Sequence, residues 1–285
     1  GKRQYNIHIK TKPIERIRLK GSKRYLLPLS LWIIMAFAFF IPIAQLIYYA
    51  TNTYYLLFEL NFIYLVINSL TIAVLSTLII IFIALMLANF NRGRKTSFKK
   101  GLLKVTNLGY AIPGAVIAVA VLVFFIDIDH TLYPVYQIFN PESRRLLLTS
   151  SITMLIFAYV LRFMAIGYNS IEASYDKIGE KFTEASYLLK TSKVKTLFQI
   201  DLPLIKSGLI SAGIIVFIDV IKELPLTLIL RPTNYETLAS QVFVYAREEM
   251  LQEAAVPSLV MILLSSLAIY FFTHRKKKGA ERYVR

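Results

Sequence analysis

The sequence predicts an all-α membrane protein with six transmembrane helices and both termini in the cytoplasm. Three observations carry this. Of 285 residues 56% are hydrophobic, and the mean hydropathy is +0.56, beyond an ordinary soluble domain. The apolar residues gather in six runs, each long enough to cross a ~30 Å hydrocarbon core at ~1.5 Å per residue. The 33 Lys and Arg residues crowd into alternate loops between those runs. The sequence has no Cys, which excludes disulfides and thiolate metal sites, and His8, His130 and His274 are too scattered to suggest a His-based metal cluster.

Residues 1–24 hold nine Lys and Arg with no short apolar core or cleavage site. They read as a basic cytoplasmic segment or linker, not a signal peptide. The six runs are Tyr25–Ala50, Phe62–Phe90, Leu102–Ile126, Leu146–Ser170, Pro203–Leu230 and Ala254–Phe272. None alternates polar and apolar residues, which excludes a barrel. Residues 90–104, 170–206 and 274–285 carry six Lys or Arg each, whereas the alternate loops hold Arg144, Arg145, Arg231 and Arg247. Positive charge stays inside, so both termini, the loop 172–206 and the basic tail 274–285 are cytoplasmic, leaving 25–273 as the membrane domain. The net charge of +16 then reports topology and a lipid-surface anchor at Arg275–Lys278, not nucleic-acid binding. The opposite loops are acidic, with Glu59, Asp127, Asp129, Glu142, Glu236, Glu248, Glu249 and Glu253. Such a surface keeps loops solvated or steers a basic partner. Gly109, Ala111, Gly114, Ala115 and Ala118 in the third run, and Gly208 and Ala212 in the fifth, read as helix-packing positions. Pro113 reads as a kink, and Tyr235–Glu253 as a short helix on the outer face.

Between the fourth and fifth runs lies a polar island. Ile178, Phe182, Ala185 and Leu189 recur on one helical face, with Glu180, Lys181, Thr183 and Glu184 turned the other way. Thr191 and Ser192 suit the cap of a second short helix, on which Val194, Leu197 and Phe198 share a face. Pro203 suits the first turn of the next helix. An amphipathic helix-turn-helix between two spans is shaped to dock on a soluble partner.

The fifth run carries Asp219, Lys222, Glu223 and Pro225, starting ~24 Å beyond Pro203. Helical spacing puts the three charges on one face. Charges cost several kcal/mol in hydrocarbon, so that face must meet protein or water. Pro225 removes the hydrogen bond to the Ile221 carbonyl and ends or bends the helix. Two readings stand together: a self-neutralising pair of Lys222 with Asp219 or Glu223, and a gate or transient contact on a translocation path. Two carboxylates suit a hard cation, but Lys222 between them argues against a tight metal site. Arg162, alone in the fourth run, can pair with either carboxylate.

Glu184-Ala185-Ser186, then Lys190, then nine free positions before Ile200-x-Leu202-Pro203, resembles the EAA loop of ABC importer permeases. The resemblance implies that Glu184, Ala185, Ser186, Leu189, Lys190, Ile200, Leu202 and Pro203 form the contact with an ATPase subunit. Ser186 stands where the family has a second Ala, and Lys190 where it has Gly. Lys costs about 1 kcal/mol if the turn needs a left-handed backbone, so the turn is expected to be tolerant or reshaped. Asp219–Pro232, Thr237–Ala239 and Glu253–Pro257, with Leu108–Gly114 and Tyr159–Phe163, resemble ferric-iron ABC transporter permeases over about residues 25–273.

That resemblance implies a type I ABC importer (MetI-like) permease fold in a bacterial cytoplasmic (inner) membrane, matching the second half of a fused permease. It implies three partners: an ABC ATPase dimer, a second permease half on the same or a homologous chain, and a periplasmic or surface-anchored ferric-binding protein. Asp219, Lys222, Glu223, Pro225 and Arg162 are then translocation-path candidates, with Asp219 and Glu223 as transient metal contacts and no firm metal site. No Gly-x-x-x-x-Gly-Lys-Ser/Thr loop occurs, so no catalytic residue and no cofactor is expected in this chain; ATP and Mg²⁺ belong to the ATPase. Other readings are a permease for thiamine, phosphonate or polyamine, a secondary transporter relaying protons through Asp219 and Glu223, and a membrane-anchored protein whose basic tails hold RNA or lipid.

Overall fold

The computed structural model describes residues 20–92, 96–140, 142, 146–179 and 181–281, with side chains as far as residue 271. Residues 1–19 of the basic start, Arg144, Arg145, Glu180, residues 282–285 and the side chains of Arg275–Lys278 lie outside the described residues. Among the described residues there are helices and no strand. The chain divides into two compact units, Gly1–Gln45 and Leu46–Arg285. In the first, helix α1 (Lys23–Met35) passes through a wide-turn stretch, Ala36–Phe40, into α2 (Ile41–Thr53), whose residues from Leu46 onward belong to the second unit. Trp32, Phe37 and the first unit's other large apolar side chains are mostly exposed.

The second unit contains α3 (Leu60–Asn91), α4 (Ser97–Ala111), α5 (Gly114–Phe139), α6 (Ile152–Ile178), α7 (Lys181–Leu188), α8 (Lys193–Thr196), α9 (Leu202–Ile221), α10 (Pro225–Leu230), α11 (Leu238–Arg247) and α12 (Ala255–Glu281). Among the described residues, five helical stretches have the length and apolarity of a span: Lys23–Phe58, Leu60–Asn91, Gly114–Phe139, Ile152–Ile178 and Lys193–Ile221. The apolar part of α12, Ala255–Phe271, is shorter.

The third apolar run is not the helix expected. Ile112 is extended (φ −83°, ψ 135°), as the residue before a proline prefers, so Pro113 breaks the chain into α4 and α5 instead of kinking it. Helix α4, with 15 residues, is too short to span and carries Lys99, Lys100 and Lys104. The long apolar helix is displaced to Gly114–Phe139 and takes in Asp127 and Asp129. Asp129, expected on an acidic surface, is fully buried. Its carboxylate accepts from Tyr136 Oη (2.9 Å) and from the backbone N–H of Leu148 (3.0 Å) and Thr149 (2.8 Å), pinning the segment before α6 to α5. The fourth run is displaced too. Ser151 caps α6, and Gly179, at φ 74°, ends it.

Helix α6 is the centre of the unit. Leu155, Ala158 and Ile171 are fully buried, within apolar clusters shared with α3, α5 and α9. Gly109 lies against the Leu161 carbonyl and Gly208 against Ser174, with no room for a Cβ at either, so these are indeed close-packing positions. Helix α11 falls inside Tyr235–Glu253 and starts with a Thr237–Ser240 capping box.

Candidate functional site

The polar island folds as two short helices that bury hydroxyls and expose apolar side chains beside their charges. Only glycine takes φ 74° without strain, so α6 stops at Ile178 and α7 begins at Lys181. Ile178 therefore does not share a helix with Phe182, Ala185 and Leu189, contrary to the periodicity. The buried residues of α7 are Thr183 and Ser186, whereas Phe182, Glu184, Ala185, Tyr187 and Leu188 are exposed. Thr183, read as pointing outward with Lys181 and Glu184, points in. Leu188 and Leu189 are 85% and 81% exposed. Leu197 is buried while Val194 and Phe198 are exposed, so the face expected on the second helix is split.

The turn between α7 and α8 keeps the left-handed geometry. Lys190 takes φ 56°, with its N–H bonded to the Tyr187 carbonyl (2.9 Å) and that of Thr191 to Ser186 (3.2 Å). The turn is thus not reshaped to suit Lys; the backbone bears the strain. Ser192 caps α8, as expected. A wide turn, Leu197–Asp201, follows, just before Pro203, whose missing N–H removes a bond back to Gln199. Ile200 and Leu202 are half-buried and Pro203 is exposed.

The buried side is held by a polar cluster that the sequence reading missed. Asp201 Oδ1 accepts from Thr183 Oγ1 (2.8 Å) and from Arg92 Nη1 (2.9 Å). Arg92 Nη2 donates to the Gly179 carbonyl (2.9 Å), and its guanidinium stacks 4.4 Å from the Tyr175 ring centroid. Ser186 and Thr196 hydroxyls bond to each other at 2.6 Å. A carboxylate between Ile200 and Leu202 is the available signal; Arg92 reads from the sequence only as a topology charge.

The second group lies where α9 ends. The helix stops at Ile221 and α10 restarts at Pro225, so Glu223 leaves the helical face it was expected to share with Asp219, whereas Lys222 keeps the expected pairing with Asp219. Lys222 Nζ pairs with Asp219 Oδ1 at 2.8 Å, its side chain 63% exposed. Glu223 is buried and pairs with Arg162, Nε to Oε2 3.3 Å, an ion pair without hydrogen-bond alignment. Arg162 Nη1 also reaches the Ile112 carbonyl (3.4 Å), so one guanidinium touches both helix breaks. A Cβ at Gly114 would lie 2.6 Å from Arg162 Nη1 and 3.2 Å from Glu223 Oε1, which gives that glycine a role beyond helix packing. Each carboxylate is matched to its own cation, an arrangement that neutralises charge and disfavours a shared metal site.

Elsewhere, Arg231 pairs with Glu236, and Tyr235 Oη donates to the Asn68 carbonyl (2.9 Å); burial raises the Tyr235 phenol to about 12. Beside them is a cavity of about 600 Å³, lined in part by Glu59, Asn61, Tyr64, Gln241 and Tyr245.

The family model described as "Binding-protein-dependent transport system inner membrane component" matches residues 80–275. The chain is 22% identical over 161 residues to "Fe(3+)-transport system permease protein FbpB 2" of Haemophilus influenzae, covering 56% of this chain and 29% of that protein. It is 28% identical over 114 residues to "Ferric transport system permease protein FbpB" of Actinobacillus pleuropneumoniae, covering 40% and 16%. The chain thus spans less than a third of the length of these relatives. It is 24% identical over 227 residues to "Spermidine/putrescine transport system permease protein PotC homolog" of Mycoplasma genitalium, covering 79% and 74%. A bacterial ABC transporter involved in import of the acidic polysaccharide alginate superposes with TM-score 0.71 at 16% identity, over 90% of this chain and 97% of that one, which shows a shared fold. With the family model matching well over half its length, this chain belongs to the binding-protein-dependent transport system inner membrane components, the integral membrane permeases of ABC transporters.

Proposed function

We propose that the chain is the permease subunit, or one half of the permease, of an ATP-driven importer of ferric iron. The observation that carries the ATP-driven reading is the sidedness of α7 and α8, and the ferric reading rests on the ferric relatives. Thr183, Ser186 and Thr196 are buried, Thr183 on Asp201 and Ser186 on Thr196, and Phe182, Leu188, Leu189, Val194 and Phe198 are presented outward beside Lys181, Glu184, Lys193 and Lys195. Such a face is costly in water and gains by docking. On this reading both termini and this segment are cytoplasmic, and Glu184, Ala185, Leu189, Lys190, Ile200, Leu202 and Pro203 belong to the ATPase contact, with Ser186 buried beneath it on Thr196. Hydrolysis is assigned to the separate ATPase dimer. A second six-helix half closes the path, and a binding protein delivers cargo outside. Arg162, Asp219, Lys222, Glu223 and Pro225 line or gate the path; the two ion pairs open transiently instead of holding metal. The oxygen-rich cavity near Glu59 and Tyr245 suits the first contact with a hard cation.

The similarity to the spermidine/putrescine permease homologue, over more of the chain than the ferric relatives, favours a polyamine as the second reading. The test measures ATPase retention on the purified permease and ATP hydrolysis stimulated by binding protein loaded with Fe³⁺ or with spermidine. Glu184→Ala and Leu188→Asp are expected to weaken retention by roughly thirtyfold, the effect of losing about 2 kcal/mol at an interface centre. Unchanged retention would sink the docking assignment; stimulation by spermidine and not Fe³⁺ would sink the ferric one.

A further inference from the structure

We infer that Arg92 and Asp201 form the joint through which the exposed helices α7 and α8 move α3, α6 and α9 as one body. The inference rests on the docking reading above and concerns how the docked segment is fastened. Neither residue of α7 that is buried is apolar: Thr183 reaches Asp201, and Ser186 bonds Thr196 of α8. Apolar packing is non-directional and lets helices slide, whereas short hydrogen bonds fix distance and angle. Thr183 meets the Asp201 carboxylate at 2.8 Å, and Asp201 meets Arg92 at 2.9 Å. Arg92 lies just past the end of α3, its fork also holds the carbonyl of Gly179 that ends α6, and its plane stacks on Tyr175 of α6. Asp201 closes the wide turn that leads into α9. One ion pair, with its arginine 13% and its aspartate 4% exposed, therefore gathers the ends of three long helices and the anchor of α7. A push on Phe182 or Leu188 reaches the bundle through this pair. Lys in place of Arg92 would keep the charge but not the planar fork that serves Asp201, Gly179 and Tyr175 together.

The test uses the intact permease–ATPase complex in proteoliposomes, with its binding protein carrying radioactive Fe³⁺. Arg92→Lys and Asp201→Asn are expected to retain the ATPase and to hydrolyse ATP, while Fe³⁺ uptake per ATP falls about tenfold, as for a residue that carries coupling between sites. Because the chain has no Cys, labels at Lys193→Cys and Phe82→Cys report the joint without any cargo. Their separation is expected to be single and narrow in the wild type and broadened in both variants. An unchanged distance width, or an unchanged uptake-to-ATP ratio in both variants, overturns the inference. If Arg92→Lys loses helical content, Asp201→Asn, which keeps the side-chain shape, decides. A failure of the docking reading is distinguishable, since the ATPase would then remain bound to Leu188→Asp.

Discussion

Lys190 shows what a single residue can and cannot reveal from sequence. Its place in the spacing was legible, and so was the fact that a left-handed turn would penalise it. Whether the turn would yield was not legible, because that depends on the bonds closing it from Tyr187 and Ser186. They hold, and Lys190 sits at φ 56°. Removing ~1–2 kcal/mol of strain outweighs the ~0.4–1 kcal/mol that glycine's extra unfolded-state freedom costs. Lys190→Gly should therefore raise the thermal midpoint of the detergent-purified protein by about 1–2 °C. A lower midpoint would mean that the lysine side chain earns its place through a contact of its own. Arg162 and Glu223 were legible as charges in apolar runs and as partners, whereas the choice of Glu223 over Asp219 depended on two helix breaks.

At the scale of elements, apolar pattern located helices better than it located their ends. Residues on both sides of Ile112–Pro113 are apolar, so hydropathy alone slid the third run across a break set by one proline. The same limit hid Asp129. Assigned by charge to a loop, it lies in α5 and holds the backbone of Leu148 and Thr149. Its two oxygens face three donors, so an amide in either orientation sets a donor against a donor or leaves one unbonded. Asp129→Asn should then speed amide hydrogen exchange at Leu148 and Thr149 by at least about tenfold while α6 stays protected. Unchanged exchange there would show that the segment is held by other contacts. Sidedness in α7 was read from apolar spacing, which marks a face without saying whether a bundle or a partner covers it. Hydroxyl bonds across 10 residues (Ser186–Thr196) and 18 residues (Thr183–Asp201) show which side is buried, and neither bond is visible in a periodicity.

For the whole molecule, composition and charge were sufficient to predict an all-helical membrane protein, and the spacing of two motifs sufficed for the family that the match over residues 80–275 shows. Cargo is the property farthest from these signals, since both candidate carboxylates are spent on ion pairs in this structure. Energy source is closer, because it rests on the exposed face of α7 and α8. The most direct test reconstitutes the permease with its ATPase and Fe³⁺-loaded binding protein in liposomes and follows radioactive iron. Accumulation should require ATP and the ATPase together, and Leu188→Asp should reduce it to background. Iron accumulation driven by a proton gradient alone, with the ATPase left out, would contradict the importer reading.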